Sequence, residues 1–467
     1  MHLPNWLNPQ LPLKRWPYLL CGLALFALKY NLDRLICYAA FDSTWYLWDY
    51  FNYLDLPTAS SPRDPALAWT LALTALPFII VGTLLTLRRL LDAGLPRWMV
   101  SLFFFPLINL ALFGLLAIIP SSKTGVPQKA GVPQDETHRR NWLDQVMPVG
   151  EKGNAVLAVA VTAVLAIFAT WFSIKIAGDY GWNLFIGIPF MQGLAAALLY
   201  GYRKPKSLRQ CLSVTFISVM FLGLLILILA FEGLLCILMA LPIALPLALL
   251  GAFMGYHIQR RTSNGVPAAI LVFAILPLGG WIESHGHQQP QLVPVTTTII
   301  IDRPKQEVWN QLVAFNDMHE PKEWLFRTGI AFPIRAIIEG KGVGSIRRCQ
   351  FSTGDFVEPI TVWNEPSLLR FSVQKMPPPL VEWSFYNDLQ LPHLENYFVS
   401  EKGQFKLTTL ANGQTVLEGT TWYRHRIWPR VYWRLWSDYI LHAIHLRVLN
   451  HIKHEAETHQ ISKTKIH

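Results

Sequence analysis

Apolar and polar positions divide this chain into two stretches with different periods. Between Pro17 and Ile282 the apolar residues gather into runs of about twenty, the length that crosses a hydrocarbon core as a helix. Eight candidate spans follow: Pro17–Cys37, Ala66–Leu87, Met99–Ile119, Ala155–Ile174, Trp182–Tyr202, Cys211–Phe231, Gly233–Tyr256 and Val266–Ile282. Met99–Ile119 contains Pro106 and Asn109, which suits a re-entrant segment. The run 211–256 is divided at Glu232-Gly233, because one helix that long would overshoot a bilayer.

After Val293 the period changes. Val295–Asp302 reads as a strand and Lys305–Phe315 as a helix with Val308, Trp309 and Leu312 on one face. A short helix, Pro321–Arg327, precedes six strands: Ile334–Glu339, Ser345–Phe351, Phe356–Trp363, Leu368–Lys375, Phe398–Leu407 and Val416–Arg426. A single long helix closes the chain to Glu457, with Leu435, Trp436, Tyr439, Ile440, Ala443, Leu446 and Leu449 at helical spacing. The predicted fold class is an α-helical multi-pass membrane domain followed by an α+β domain, an antiparallel sheet around a long C-terminal helix. The domains expected are 1–130 and 131–283 in the membrane, a linker 284–292, a soluble domain 293–458 and a disordered tail 459–467.

Composition narrows the function. The 467 residues are 52% hydrophobic and 15% charged, with a net charge of +10. Many basic residues flank apolar runs, where they orient spans and hold lipid faces: Arg88 and Arg89, Arg203 and Lys204, Arg260 and Arg261. No basic block stands in the soluble part, so the charge points to membrane lipids and away from nucleic acid. Five scattered cysteines make neither a disulfide framework nor a CxxC knuckle. Lys29 and Asp33, four apart, and Glu232, between two apolar runs, read as a snorkelling helix end and an interfacial turn; the functional alternative is an intramembrane ion pair or carboxylate. Arg260/Arg261 before the last span, with no further basic residue until Arg303, favours the soluble domain outside the cytoplasm.

Two segments carry resemblances. Arg88-Arg89-Leu90-Leu91-Asp92-Ala93-Gly94 resembles the Arg-Arg-Leu-His-Asp-x-Gly signature of a small bacterial membrane-domain family of unknown function, with Leu91 in place of His. It implies a bacterial inner-membrane protein and no chemistry. Ile301-Asp302-Arg303-Pro304 with Val308-Trp309, the glycines Gly340, Gly342 and Gly344 at a hairpin, and the order of elements resemble the START-like (SRPBCC, polyketide cyclase/dehydrase and lipid-transport) superfamily. That resemblance implies a helix-grip fold enclosing an apolar ligand cavity.

Candidate cavity residues follow from alternation. Phe356, Glu358, Ile360 and Val362 share one face of their strand, and a carboxyl on that apolar face could serve as general acid or base. A bulge at Glu358-Pro359, or pairing with Arg347, Arg348 or Arg370, is the structural alternative. On the last strand Trp422 and Arg424 alternate with Tyr423 and His425, and either pair can face a ligand; Trp422 and Arg424 are taken as lining, with Tyr439 and Ala443 from the helix. His442 and His445 are three apart near Asp438 but lack a third and fourth metal ligand, so no metal and no cofactor is expected. Residues 376–397, with Trp383, Phe385, Tyr386 and His393, read as a lid, a membrane contact or a structural flap. The expected function is membrane-tethered binding or transfer of a hydrophobic, lipid- or isoprenoid-like molecule. A cyclase or dehydrase using Glu358 or a histidine, and a ligand sensor, are the alternatives.

Overall fold

The computed structural model describes residues 8–47, 49–52, 65–104, 108–119, 121, 147–148, 150–176, 180–260, 266, 273, 276, 281, 292–386 and 398–464. The chain divides into two compact units, one of Met1–Glu232 with Cys236–Gln288 and one of Gly233–Leu235 with Gln289–His467.

The first unit is helical. Its helices are α1 (Arg15–Phe41), α2 (Asp49–Asn52), α3 (Pro65–Asp92), α4 (Ile108–Ile118), α5 (Glu151–Trp171), α6 (Ile188–Tyr200), α7 (Leu208–Ile228) and α8 (Leu234–Gln259), whose first two residues fall in the second unit. Single π-helical turns extend α5 to Ile176 and begin α6 at Asn183. Five helices, Pro65–Asp92, Glu151–Ile176, Asn183–Tyr200, Leu208–Ile228 and Leu234–Gln259, are long and apolar enough to cross a membrane. The expected eight are therefore not reached among the described residues. Met99–Ile119 is broken into a 3-10 helix, Arg97–Phe104, and the short α4, and most of Val266–Ile282 lies outside the described residues. The division at Glu232-Gly233 is present: α7 ends at Ile228, Ala230 takes a left-handed φ of 56°, and α8 starts at Leu234. Glu232 sits in that turn and accepts from Tyr180 Oη at 2.7 Å.

α6 is buried along its whole length and forms the centre of this unit. Glycine makes the approach of α8 possible: a Cβ on Gly193 would lie 1.8 Å from the Ala248 carbonyl oxygen, and one on Gly251 2.0 Å from that of Phe190. Polar groups inside the bundle bond one another, Gln192 Nε2 to Ser218 Oγ at 3.0 Å and Thr162 Oγ1 to Ser218 Oγ at 2.8 Å. Lys29 pairs with Asp33 at 2.5 Å, and Tyr50 Oη donates to the same carboxylate at 2.6 Å.

Arg89 does not hold a lipid face. It is fully buried, and its guanidinium donates to the carbonyls of Leu116 (2.8 Å) and Ile119 and pairs with Asp92. The last carbonyls of α4 have no partner within their helix, and a cation at that end also meets the negative pole of the helix dipole. Arg88 is half-buried and bonds the Leu11 carbonyl at 3.0 Å. Arg203, Lys204 and Arg260 are exposed, and Arg261 lies outside the described residues.

The second unit holds one antiparallel sheet in the order β1-β7-β6-β5-β4-β3-β2. Its strands are β1 (Val293–Ile301), β2 (Pro333–Glu339), β3 (Ile346–Phe351), β4 (Gly354–Asn364), β5 (Leu368–Ser372), β6 (Phe398–Thr409) and β7 (Thr415–His425). Two helices, α9 (Lys305–Val313) and the short α10 (Trp324–Arg327), separate β1 from β2. The sheet curls around α11 (Arg430–Thr464), which packs on β1 and β7, so the expected sheet-and-closing-helix arrangement is present. α11 runs on to Thr464, through part of the segment expected as a tail.

The sheet-facing side of α11 differs from the expected stripe. Leu441, His445, Val448, Leu449, Ile452 and Ala456 are buried, whereas Leu435, Tyr439 and Leu446 are exposed. The lower core gathers Trp309 and Leu312 of α9 with Leu369, Leu407 and Leu417 of the sheet and Leu449 and Ile452 of α11.

Candidate functional site

The tight turn between β3 and β4 pairs Phe351 with Gly354, and from there the register places Arg347 directly opposite Glu358. Both side chains are buried and form an ion pair on the inner side of the sheet. Three rings surround the guanidinium, with centroids at 5.7 Å (Phe315), 5.3 Å (Phe371) and 5.7 Å (Phe405). Phe371 is held close by Gly403, where a Cβ would lie 2.5 Å from its ring.

Arg347 Nε is buried without a hydrogen-bond partner of ordinary geometry; the Cys349 thiol, a weak acceptor, is the other polar group that interacts with the guanidinium besides Glu358. Burial pushes the Glu358 carboxyl up, and Arg347 opposes that shift. On Arg347, burial works against the charge but Glu358 outweighs it, leaving a raised pKa. The neighbouring Cys349 thiol is pushed up to about 12 by burial, with Arg347 opposing the shift, which favours the protonated thiol.

A second polar group lies between β1, β7 and α11. Thr297 Oγ1 is 2.7 Å from His442 Nδ1 and 3.0 Å from His445 Nδ1, and Thr421 Oγ1 is 2.8 Å from His445 Nε2. A hydrogen-bonded chain thus runs from the exposed His442 through Thr297 and the buried His445 to Thr421. A neutral imidazole has one donor and one acceptor nitrogen, and the two hydroxyls can serve either tautomer. Desolvation, with the His442 charge second, lowers the His445 pKa to about 4. Nearby, Tyr423 Oη donates to Asp438 at 2.7 Å, and Arg434 Nε bonds the same carboxylate at 3.2 Å. Burial, then that hydrogen bond, raises the Tyr423 pKa.

The structure thus redistributes the residues read from alternation. Glu358 and Ile360 are buried as expected; Phe356 and Val362 are half-buried, and a register shift between Ile360 and Val362 interrupts the strand's alternation. Trp422 and Arg424 belong to the other face of β7, where Lys402 lies over the Trp422 ring and Arg424 pairs with Glu401 at 2.6 Å. Tyr423 and His425 take the inner face, because they continue the parity of Leu417 and Gly419, which pack inward. Tyr439 is exposed, and Ala443 packs against the Leu325, Phe326 and Ile330 cluster.

Trp383, Phe385 and Tyr386 are exposed, and His393 lies outside the described residues. No group of three metal-ligating side chains occurs among the described residues. Sequence reasoning weighed Arg347 only as a partner for Glu358 and passed over Thr297 and Thr421. The hairpin register would have paired Arg347 with Glu358, but nothing local marks the two threonines as histidine partners.

No protein-family model and no curated protein matches the sequence. Among solved structures, the chain is similar to norcoclaurine synthase of Thalictrum flavum, a point mutant bound to a transition-state analogue (12% identity, 37% of this chain and 99% of that one, TM-score 0.25). It is similar to the Zhui aromatase/cyclase of a Streptomyces species (13% identity, 36% and 94%, TM-score 0.24). It is also similar to a protein from Nitrosospira multiformis (17% identity, 35% and 95%, TM-score 0.22).

Proposed function

We propose that the second unit binds a hydrophobic small molecule carrying one polar, acceptor-bearing end, and that the apolar helices tether it to a membrane in which such molecules dissolve. One observation carries this reading: a buried ion pair ringed by phenylalanines that keeps an unused donor, Arg347 Nε. A buried ion pair is weak as a source of stability, since apolar residues of similar volume often serve as well or better. A donor left over in an apolar surrounding is the kind of sparse, fixed polar group that orients a ligand.

The test is lipid extraction and mass spectrometry of the purified full chain beside the double substitution Arg347→Met/Glu358→Leu. Replacing both partners leaves no buried charge behind, so the fold is expected to survive. A small apolar molecule that co-purifies with the natural chain and is absent from the folded double variant supports the reading. Equal recovery from both, or none from either, overturns it.

A cyclase or dehydrase reading draws on the His442–Thr297–His445–Thr421 chain, which could move a proton between solvent and the interior. It requires turnover of the bound molecule that His445→Gln abolishes without loss of binding.

A further inference from the structure

The loop Val381–Tyr386 is separate from both polar groups, and it is anchored in an unusual place. The second unit includes Gly233–Leu235, which contain the first residues of α8, an apolar helix of 26 residues. The first N–H groups of any helix lack partners of their own. Here Leu234 N donates to the Trp383 carbonyl at 2.9 Å, and Leu235 N to Glu382 Oε2 at 3.0 Å. A carboxylate in that position satisfies an orphan donor and meets the positive end of the helix dipole. The loop is therefore fixed to the point where an apolar helix of membrane-crossing length begins.

At that point its apolar side chains turn outward. Val381, Trp383, Phe385 and Tyr386 are 60%, 59%, 70% and 49% exposed. Trp324 of α10 is 61% exposed, and the strand-like bond from Val381 N to Gly329 O (2.8 Å) holds the segment after α10 to this loop. Leu380, by contrast, packs inward against Leu325, Phe326 and Ile330, so the loop is a folded piece of the unit and not a loose one. The charge in this apolar segment, Glu382, is turned onto the helix end.

Tryptophan and tyrosine concentrate where headgroups meet acyl chains, because one part of each ring system is apolar and another needs a hydrogen-bond partner. We propose that Val381–Tyr386, with Trp324, lies in the interfacial layer of the bilayer that α8 enters. This rests on the membrane-tether part of the proposed function and not on the interior ligand.

The test uses the full chain in phosphatidylcholine proteoliposomes containing a phosphatidylcholine with a photoactivatable diazirine near its glycerol backbone. After irradiation, adducts are located by peptide mass spectrometry. Adducts on the 381–386 peptide together with adducts on the spans support the inference, and Trp383→Ser/Phe385→Ser should lose the former and keep the latter. Labelled spans with an unlabelled loop overturn it while leaving the tether standing, as does protection of the loop by a second copy of the chain. Unlabelled spans overturn the tether itself and this inference with it. The map on the unsubstituted chain decides the matter even if the double variant does not fold.

Discussion

Among the described residues each unit buries one arginine almost completely, and the two are satisfied in different ways. Arg89 spends its donors on the closing carbonyls of α4 and on Asp92. Arg347 has one carboxylate, three aromatic faces and a donor without a partner of ordinary geometry. The first is bound to backbone that cannot leave, so it acts as a helix cap. The second could be exchanged, with its partner, for apolar side chains without leaving a broken helix end. Burial alone does not distinguish the two arginines; unused hydrogen-bond capacity does.

The sharpest test of that distinction is rescue. Arg347→Met alone strands a buried carboxylate and should destabilise the second unit by about 3–5 kcal/mol, and adding Glu358→Leu should restore most of it. Arg89→Met should cost a similar amount, but Asp92→Leu should not rescue it, because the Leu116 and Ile119 carbonyls stay unpaired. Thermal unfolding of the detergent-solubilised chain measures both cycles, and equal rescue in the two would erase the difference drawn here.

Acid should separate the units next. His445 and His425 have pKa values lowered from the usual 6.5 to about 4, each mainly by burial. The unfolded chain therefore binds protons that the folded unit refuses. Stability is fully present above about pH 6.5 and is lost as the pH falls toward 4, by about 3 kcal/mol for each ring. His445→Gln should remove about half of that acid sensitivity. An unfolding transition of the second unit that keeps its midpoint between pH 7 and 4.5 would contradict the burial of both rings.

Glycine extends the comparison to packing. In Gly193→Ala the new methyl group meets a backbone carbonyl, whereas in Gly403→Ala it meets the ring of Phe371. The first should cost more than the second, for which about 1–3 kcal/mol is expected of an overpacked core. On the proposed binding reading, Gly403→Ala should also weaken ligand retention by moving a ring that borders Arg347. The smallest effect is expected from Thr297→Val, about 1 kcal/mol for the lost hydroxyl bridge, with His442 released from His445. Nuclear magnetic resonance titration of the two rings would register that release even if stability barely moves.

Much of the second unit was legible because strand alternation and turn residues are local. The inward placement of Glu358 followed from parity alone, and the helix over Lys305–Val313 from three apolar residues at the right spacing. On β7 alternation alone left either Trp422 and Arg424 or Tyr423 and His425 to face inward. Counting back to Leu417 and Gly419 assigns the inner face to Tyr423 and His425. The buried side of α11 was hidden for a different reason. Hydrophobicity favours Leu435, Tyr439 and Leu446, but two threonine hydroxyls on neighbouring strands draw His445 inside. In the helical unit the role of Arg89 was unreadable, because the carbonyls it caps belong to a helix that begins far along the chain and only meets it in space.

α6 has a consequence for how the helical unit is assembled. Of the five helices among the described residues that are long and apolar enough to cross a membrane, it is the least apolar and the one most enclosed by its neighbours. On the proposed membrane reading, a translocating chain judged one segment at a time would retain α6 last, since its Asn183 and Gln192 weigh against partitioning into lipid. Its place must be secured by its partners, with Ser218 of α7 answering Gln192 and Gly251 of α8 admitting its backbone. On that reading, the helix at the centre of the unit is the one whose insertion depends most on what is synthesised after it.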